Sequence, residues 1–475
     1  MSPPSLAIHW FRQDLRLADN PALTQAVKHG QVVPIYILDD AAAGMHAPGA
    51  ASRWWLHHSL TDLRQRLKGS LSVYKGDSVA ILVDLVTRLQ ITAVHWTREY
   101  VPWRVAQDAQ VADALRERGV AVSVHSGSLL WEPDTIVKPD GTPYGVFTPF
   151  YKRGCLAAPA PRAPIPEPQG GGYQSDSMAL PSINALNLLP RIRWDQALAP
   201  HWDIGELGGH RRFNAFVDTG LDHYKDRRDF PADPSVSRLS PHLHFGEVSP
   251  NQLWHAVYAE SMNNQRAHFC SELGWREFAY YVLHHHPTVP HTNLQPLFDA
   301  FPWQEDPALM RLWQRGETGI PMVDAGMREL WQTGYMHNRP RMIAGSFLVK
   351  NARMHWRHGE RWFWDTLVDA NPANNSASWQ WVAGSGSDAA PYFRVFNPVL
   401  QGQKFDPDGA YIRRYIPELA ALPTEYLAHP WTAPAAVLAS AGIQLGVTYP
   451  QPCVDLAQTR AAALAAFQQM NAESI

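Results

Sequence analysis

The sequence predicts an α/β domain followed by an all-α domain. Two observations carry that expectation. In the first third, short β-branched apolar runs alternate with longer helix-like stretches, the pattern of a doubly wound parallel sheet. From about residue 206 onward the strand signals fade and segments of helical periodicity replace them.

The expected strands are 6–11, 32–38, 71–74, 91–96 and 120–125, with helices at 51–68, 79–90 and 105–118 between them. No GxGxxG follows the first strand, so a dinucleotide fingerprint is absent. The stretch 157–172 is dominated by Pro, Ala and Gly and reads as a linker. We therefore expect an α/β domain at 1–130, an interdomain linker at 131–205 and a helical domain at 206–475. In the last, 268–286, 322–331, 339–356 and 360–368 carry helical periodicity, whereas 369–398 reads as a long irregular polar segment.

Composition narrows the function. Hydrophobic residues make up 45% and charged residues 18% of the 475, which excludes wholesale disorder. No run of about 18 apolar residues suggests a membrane span, and the N-terminal stretch lacks a secretory pattern. The three cysteines are far apart and form no CxxC, so neither a disulfide framework nor a zinc or iron–sulfur site is expected. A reducing cytoplasm fits this usage. The chain is rich in Trp, with 19, and its 41 basic residues are mostly Arg, which suits bidentate anion contacts and ring stacking. A net charge of −3 restricts any polyanion contact to a local patch.

Four stretches concentrate chemistry. In SVSRLSPHLHFGEVSP (235–250), Ser237, Arg238 and Ser240 precede a Pro-started helix and could cradle a phosphate; the plain alternative is a Ser-capped helix. In ELGWREF (272–278), Glu272, Trp275 and Arg276 share one helical face, suited to stacking a flat ligand and bonding its edge. The plain alternative is a Glu–Arg pair beside a core Trp. In GYMHNRPRMIAGSFLVK (334–350), Arg339 and Arg341 point to different faces, while Asn338 and Met342 make an odd pair for a purely solvated helix start. In 369–398, small residues, four Asn and two Trp around one Gln would let backbone approach a ligand closely.

Together with WFRQDLRL (10–17), NNSASWQW (374–381) and DAAPYFRVFNP (388–398), these stretches resemble the photolyase/cryptochrome family of flavoproteins, in the family's order and over almost the whole chain. The resemblance implies an α/β antenna domain and an all-α FAD-binding domain. It is nearest to enzymes that split cyclobutane pyrimidine dimers. Asn375 matches the residue facing the flavin's N5, where plant cryptochromes typically carry Asp. A carboxylate there would repel a reduced, anionic flavin, whereas an amide adds no charge. Glu272 and Trp275 match the acid and ring that meet the dimer. The surroundings of Asn338 differ from those in enzymes acting on the (6-4) photoproduct. The short stretch beyond TYPQP (448–452) is unlike a cryptochrome tail.

The implied mechanism is light-driven. Reduced FAD passes one electron to a dimer flipped out of the duplex, both cyclobutane bonds open and the electron returns. Glu272 would hydrogen-bond the dimer, and burial would keep its carboxyl protonated. Trp379, Trp356 and Trp303 match the chain that feeds electrons to oxidised flavin. Tyr224, Ser237, Arg238, Leu239 and Ser240 match the phosphate side of FAD. Phe269, Arg276, Tyr335, Arg341, Asp369, Ala370 and Asn371 match the rest of its wall, with Arg341 and Asp369 as an ion pair. Trp275 and Trp381 would hold the dimer beside Asn338 and Met342, and Arg228, Arg339 and Gln401 would lie near the DNA backbone.

Some positions depart from the family pattern. Asn371 replaces a second Asp, residues 376–378 replace a Gly-rich step and Val236 replaces a Thr, while Phe269 and Tyr335 stand where Trp is frequent. In the antenna loop, Pro102 and Trp103 stand in place of a folate-binding Asn-Glu pair. A reduced folate, methenyltetrahydrofolate, is expected as second chromophore over a deazaflavin. UV-damaged DNA is the expected partner of a monomeric protein without bound metal. A cryptochrome-like photoreceptor and a (6-4) photolyase are the alternatives.

Overall fold

Five apolar runs pair into a single all-parallel sheet. They are β1 (Leu6–Phe11), β2 (Gln31–Leu38), β3 (Ser72–Lys75), β4 (Ala93–Thr97) and β5 (Ala121–His125), in the order β3-β2-β1-β4-β5. Each lies within two residues of its expected position. The computed structural model describes residues 5–472 apart from 171, 259, 260 and 393.

Register aligns the apolar side chains. Ile8 sits opposite Val33 and Val94, and Trp10 opposite Ile35 and Trp96. One face of the sheet packs on Leu82, Leu85 and Val86 of the helix Ser78–Arg88 and on Val111 and Leu115 of Pro102–Arg116. Alternation puts Ala7, His9 and Phe11 on the other face, where the helix Pro21–His29 packs. Both faces are therefore covered, which is why the central strands read as continuous apolar runs. Asn20 and Asp77 start two of these helices, their side chains accepting from Leu23 N at 3.0 Å and Ala80 N at 2.7 Å.

The described residues cluster into two units. The first comprises 1–222, 237–287 and 368–373; the second comprises 223–236, 288–367 and 374–475. The first thus takes in helical segments distant in sequence, and buried carboxylates fasten them to the sheet's connections. Glu206, at the start of the helix Glu206–Thr219, accepts from Leu17 N at 2.7 Å and from Arg66. Glu247 accepts from the Trp55 indole at 2.9 Å. Glu277 accepts from Leu130 N at 2.7 Å. The Pro-rich stretch has no regular helix or strand from 158 to 170. Just beyond it the chain is pinned by Asp176, whose carboxylate takes two 2.8 Å bonds from Arg88 and one of 2.7 Å from Tyr74.

The second unit is helical, with Pro307–Arg315, Pro321–Thr333, Asn338–Ser346, Trp356–Thr366, Pro372–Ala383 from residue 374 on, Pro398–Phe405 and Leu456–Ala472 as its longest elements. Two expectations are corrected here. The segment 339–356 is not one helix: Asn338–Ser346 widens into a π turn over Phe347–Asn351 and then breaks. Arg353 adopts φ 53°, and His355 opens the next helix by accepting from Arg357 N at 3.2 Å. The segment 369–398 is not irregular throughout, because Pro372–Ala383 is a helix. Its buried Ala373, Asn375, Ser376, Trp379, Gln380, Val382 and Ala383 mix small, polar and apolar types, so no apolar stripe marks it in the sequence.

Gly246 has φ +66°, and a Cβ there would fall on the Gln13 carbonyl. Gly119 has φ +74° but nothing within 4 Å. Gly246→Ala should therefore cost about 3 kcal/mol or more of unfolding free energy, and Gly119→Ala about 1 kcal/mol. Denaturant titration of the two variants checks the difference.

Candidate functional site

In the first unit, Asn263 caps the 22-residue helix Asn264–His285 by accepting from Gln265 N and Arg266 N. Glu272, Trp275 and Arg276 lie on this helix as expected, but Arg276 pairs with Glu277 at 2.9 Å rather than with Glu272. The plain Glu–Arg reading of the motif therefore fails. Arg276 also lies over the Tyr280 ring at 5.0 Å. Tyr280 in turn accepts from Asn371 Nδ2 at 2.6 Å. The neutral Asn371 thus has a specific partner where a second Asp was expected. Trp275 stacks face to face on Phe147, with centroids 3.8 Å apart and planes at 12°.

Glu272 differs from expectation. Its side chain is 28% exposed and 3.8 Å from His268. The protein alone does not bury it, so the desolvation foreseen would require a ligand lying over the carboxyl.

The SRLS segment also departs from its plain reading. The helix Ser240–His244 has no side-chain cap, because Leu239 occupies the cap position, and Ser240 instead donates its hydroxyl to Asp369 Oδ2 at 2.6 Å. Arg238 adopts φ 51° and lies over the Trp202 ring at 4.7 Å. Ser237 and Leu239 thus flank a guanidinium held against an indole, with Ser240 next along the chain. Ala370 is buried, as is Phe269, which packs on Phe216 at 5.2 Å.

In the second unit, Asn375 is 8% exposed and its Nδ2 donates to the Glu360 carbonyl at 3.0 Å. The planar amide then presents Oδ1 as an acceptor in the other direction. Trp379 is buried against Phe363 at 4.9 Å and Trp313 at 6.2 Å. Gly359 makes room for its indole, which a Cβ there would strike. Trp356 is fully buried and donates to Asn293 Oδ1 at 2.7 Å. Between it and the partly exposed Trp303 lies His355, 5.5 Å from the former ring and 5.0 Å from the latter. Burial lowers the His355 pKa to about 4, with Arg357 and His358 adding to the effect, so the ring is neutral at physiological pH.

The NRPRM residues separate as expected. Arg341 donates Nε to the Met336 carbonyl at 2.5 Å and lies over Tyr335 at 5.0 Å. Arg339 lies over Phe405 at 4.2 Å and pairs with Asp229 at 2.5 Å. Asn338 Nδ2 rests 3.8 Å from the Met342 sulfur, which accounts for that pair. Arg228 lies over Tyr224 at 5.3 Å. Trp381 is partly buried, and Gln401 keeps a buried Oε1 without a partner.

Sequence reasoning missed Phe147, Tyr151, Asp229, Glu277, His355 and Glu360. Glu277 stood inside the quoted WREF motif, and GVFTPFY (145–151) held three rings in five residues. The other three carried no local signal, since only tertiary contact gives them a role.

The geometry is that of an α/β module and a helical module in one chain, the latter rich in Arg, Trp and Asn. Residues 7–169 match the family model for DNA photolyase, and 269–469 match the FAD binding domain of DNA photolyase. The chain belongs to the photolyase/cryptochrome family. It is 46% identical to a deoxyribodipyrimidine photo-lyase of Agrobacterium fabrum, over 97% of both chains. It is 36% identical to cryptochrome-1 of Arabidopsis thaliana, over 98% of this chain and 70% of that one. The crystal structure of a bacterial class III photolyase from Agrobacterium tumefaciens superposes with a TM-score of 0.94, at 44% identity over 99% of this chain and 98% of that one.

Glu360 also accepts a bond from Ser376, and burial pushes its pKa from 4.5 up to about 7, against the pull of Ser376, Arg357 and Arg361. An acid raised in the fold stabilises it at low pH, and that contribution is lost as pH rises through the folded value. Between pH 4.5 and 7 the native protein should lose stability relative to Glu360→Gln, on the order of 3 kcal/mol. Parallel curves of unfolding free energy against pH would contradict this.

Proposed function

We propose that the protein is a deoxyribodipyrimidine photo-lyase, which uses blue light to split cyclobutane pyrimidine dimers in DNA. The observation that carries this reading is the Asn375 amide. Its donor end is committed to the Glu360 carbonyl, so a neutral acceptor oxygen is left for a ring N–H. That suits a reduced flavin, where a carboxylate would add a second negative charge. The donor set fits FAD more widely: hydroxyls at Tyr224 and Ser237 and the guanidinium of Arg238 match a pyrophosphate, with Ser240 and Arg276 on the same wall.

Bound, reduced FAD supplies on excitation the single electron that opens the cyclobutane ring and is recovered afterwards. The chain's own residues do the rest. Leu239, Phe269, Tyr335 and Ala370 give apolar walls to the cofactor, while Arg341, Asp369 and Asn371 set the polar surroundings of its ring. Trp275 and Trp381 stack the extruded dimer, and Glu272 hydrogen-bonds the dimer's carbonyl. Asn338 and Met342 line the same substrate. Arg228 and Gln401 meet the DNA backbone. Arg339 does so by exchanging Asp229 for a phosphate, one anionic partner for another. Phosphate contacts set register, so damage is read by shape. Trp379, Trp356 and Trp303 return electrons to an oxidised cofactor, with Trp303 as the solvent-side end.

Reduced folate, as methenyltetrahydrofolate, is proposed as the second chromophore in preference to a deazaflavin. Trp103 would stack it after displacing the Arg104 guanidinium, which covers that ring at 4.2 Å. The protein would act as a cytoplasmic monomer on UV-damaged DNA.

Photoreduced, FAD-loaded protein should restore intact thymines from an oligonucleotide with one cyclobutane dimer under blue light and not in the dark. Trp275→Ala should weaken dimer binding roughly tenfold, as loss of one stacking ring implies. Glu272→Ala should keep binding within a few-fold and lower the repair yield. Absence of light-dependent repair would transfer the reading to a photoreceptor or to the (6-4) lesion.

A further inference from the structure

The contact on which Trp275 depends comes from a segment that none of the site motifs contains. Phe147 covers one face of the indole at 3.8 Å and 12°. Tyr151 stacks on Phe147 in turn, its plane nearly parallel, at 5.5 Å and 10°. The three rings make one continuous pile. Phe278 closes its side, edge-on to Phe147 at 6.0 Å and to Trp275 at 5.9 Å.

The pile is buried at its base and open at its top. Phe147 and Tyr151 are each 7% exposed, whereas Trp275 is partly exposed. No second ring stacks on Trp275 among the described residues. The helix Asn264–His285 accommodates the pile through Gly274, where a Cβ would come within 2.5 Å of the Tyr151 ring. The chain widens into a π turn at Phe150–Gly154, directly after Phe147, and this stretch carries Tyr151. Such turns interrupt helices at a cost and are frequent at functional sites.

We propose that Phe147, backed by Tyr151, is a positioning residue that fixes the plane of Trp275 and so sets how well the enzyme distinguishes a dimer from undamaged DNA. This rests on the reading of Trp275 as the lesion's stacking platform. With one face covered and one edge blocked, the indole has one orientation and one face left to offer. A ligand that stacks on it meets a surface that loses little freedom on binding, which raises affinity without a new contact. The proposal assigns Phe147 no part in flavin binding or electron transfer.

The test uses the FAD-loaded protein and two duplexes, one with a single thymine dimer and one undamaged. Phe147→Leu keeps an apolar side chain but removes the flat face. It should lower the ratio of damaged to undamaged affinity about fivefold, in the range that loss of an aromatic pair implies. Repair per photon at saturating damaged DNA and flavin absorbance per protein should be unchanged. Phe147→Tyr, which restores a ring, should recover the ratio. If Phe147→Leu does not fold, Tyr151→Leu should move the ratio the same way, about twofold. A ratio unchanged in Phe147→Leu, while Trp275→Ala lowers it about tenfold, overturns this proposal alone. A ratio unchanged in Trp275→Ala overturns the stacking reading and the proposal with it. A fall in repair per photon at saturation, with the affinity ratio intact, also overturns it.

Discussion

The Glu277 carboxylate holds the first unit in its working form. Both of its oxygens are engaged: Oε2 accepts from Leu130 N and Trp131 N, and Oε1 takes the Arg276 guanidinium. At 3% exposure it has no water to fall back on, and burial pushes its pKa up to about 7 against the pull of Arg276 and of those N–H groups. A buried charge left without partners costs several kcal/mol, so this group constrains everything that touches it. Through Arg276 it reaches Tyr280, and through Tyr280 it reaches Asn371. One side chain thus links the segment after β5 to residues assigned to the cofactor.

The parts of the fold that were legible in sequence are those where periodicity and burial coincide. The five strands were visible because a sheet covered on both faces makes every position apolar. The long helix around Trp275 was visible for its length. Pro372–Ala383 was not, because its buried positions mix Ala, Ser, Asn, Gln, Val and Trp and no stripe results. The break after the π turn was also hidden. It depends on a left-handed Arg353 and a His355 cap, and neither residue type announces such a role.

The candidate site shows the same division. The motif residues were found because several chemically distinctive types stand together in short stretches. Their supporting contacts lie elsewhere in the chain. Asp229 against Arg339, His355 between two indoles and Phe147 under Trp275 are pairs separated by tens of residues or joined by packing alone. Glu272 is the converse: its identity was legible, while its exposure was not. Desolvation is a property of the surroundings, and a linear pattern does not record it.

The make-up of the first unit bears on how the protein is born. It draws on residues 1–222, 237–287 and 368–373. A ribosome delivers these in that order, with most of the second unit's early helices emerging before the last piece. The parallel sheet can assemble soon after β5 appears. The Ser240–Asp369 bond and the Asn371–Tyr280 bond cannot form until residues 369 and 371 have left the exit tunnel. The nascent chain must therefore carry an unfinished first unit through most of its synthesis. During that interval the polar groups of residues 237–287 that await 368–373 depend on water or on chaperones for their partners.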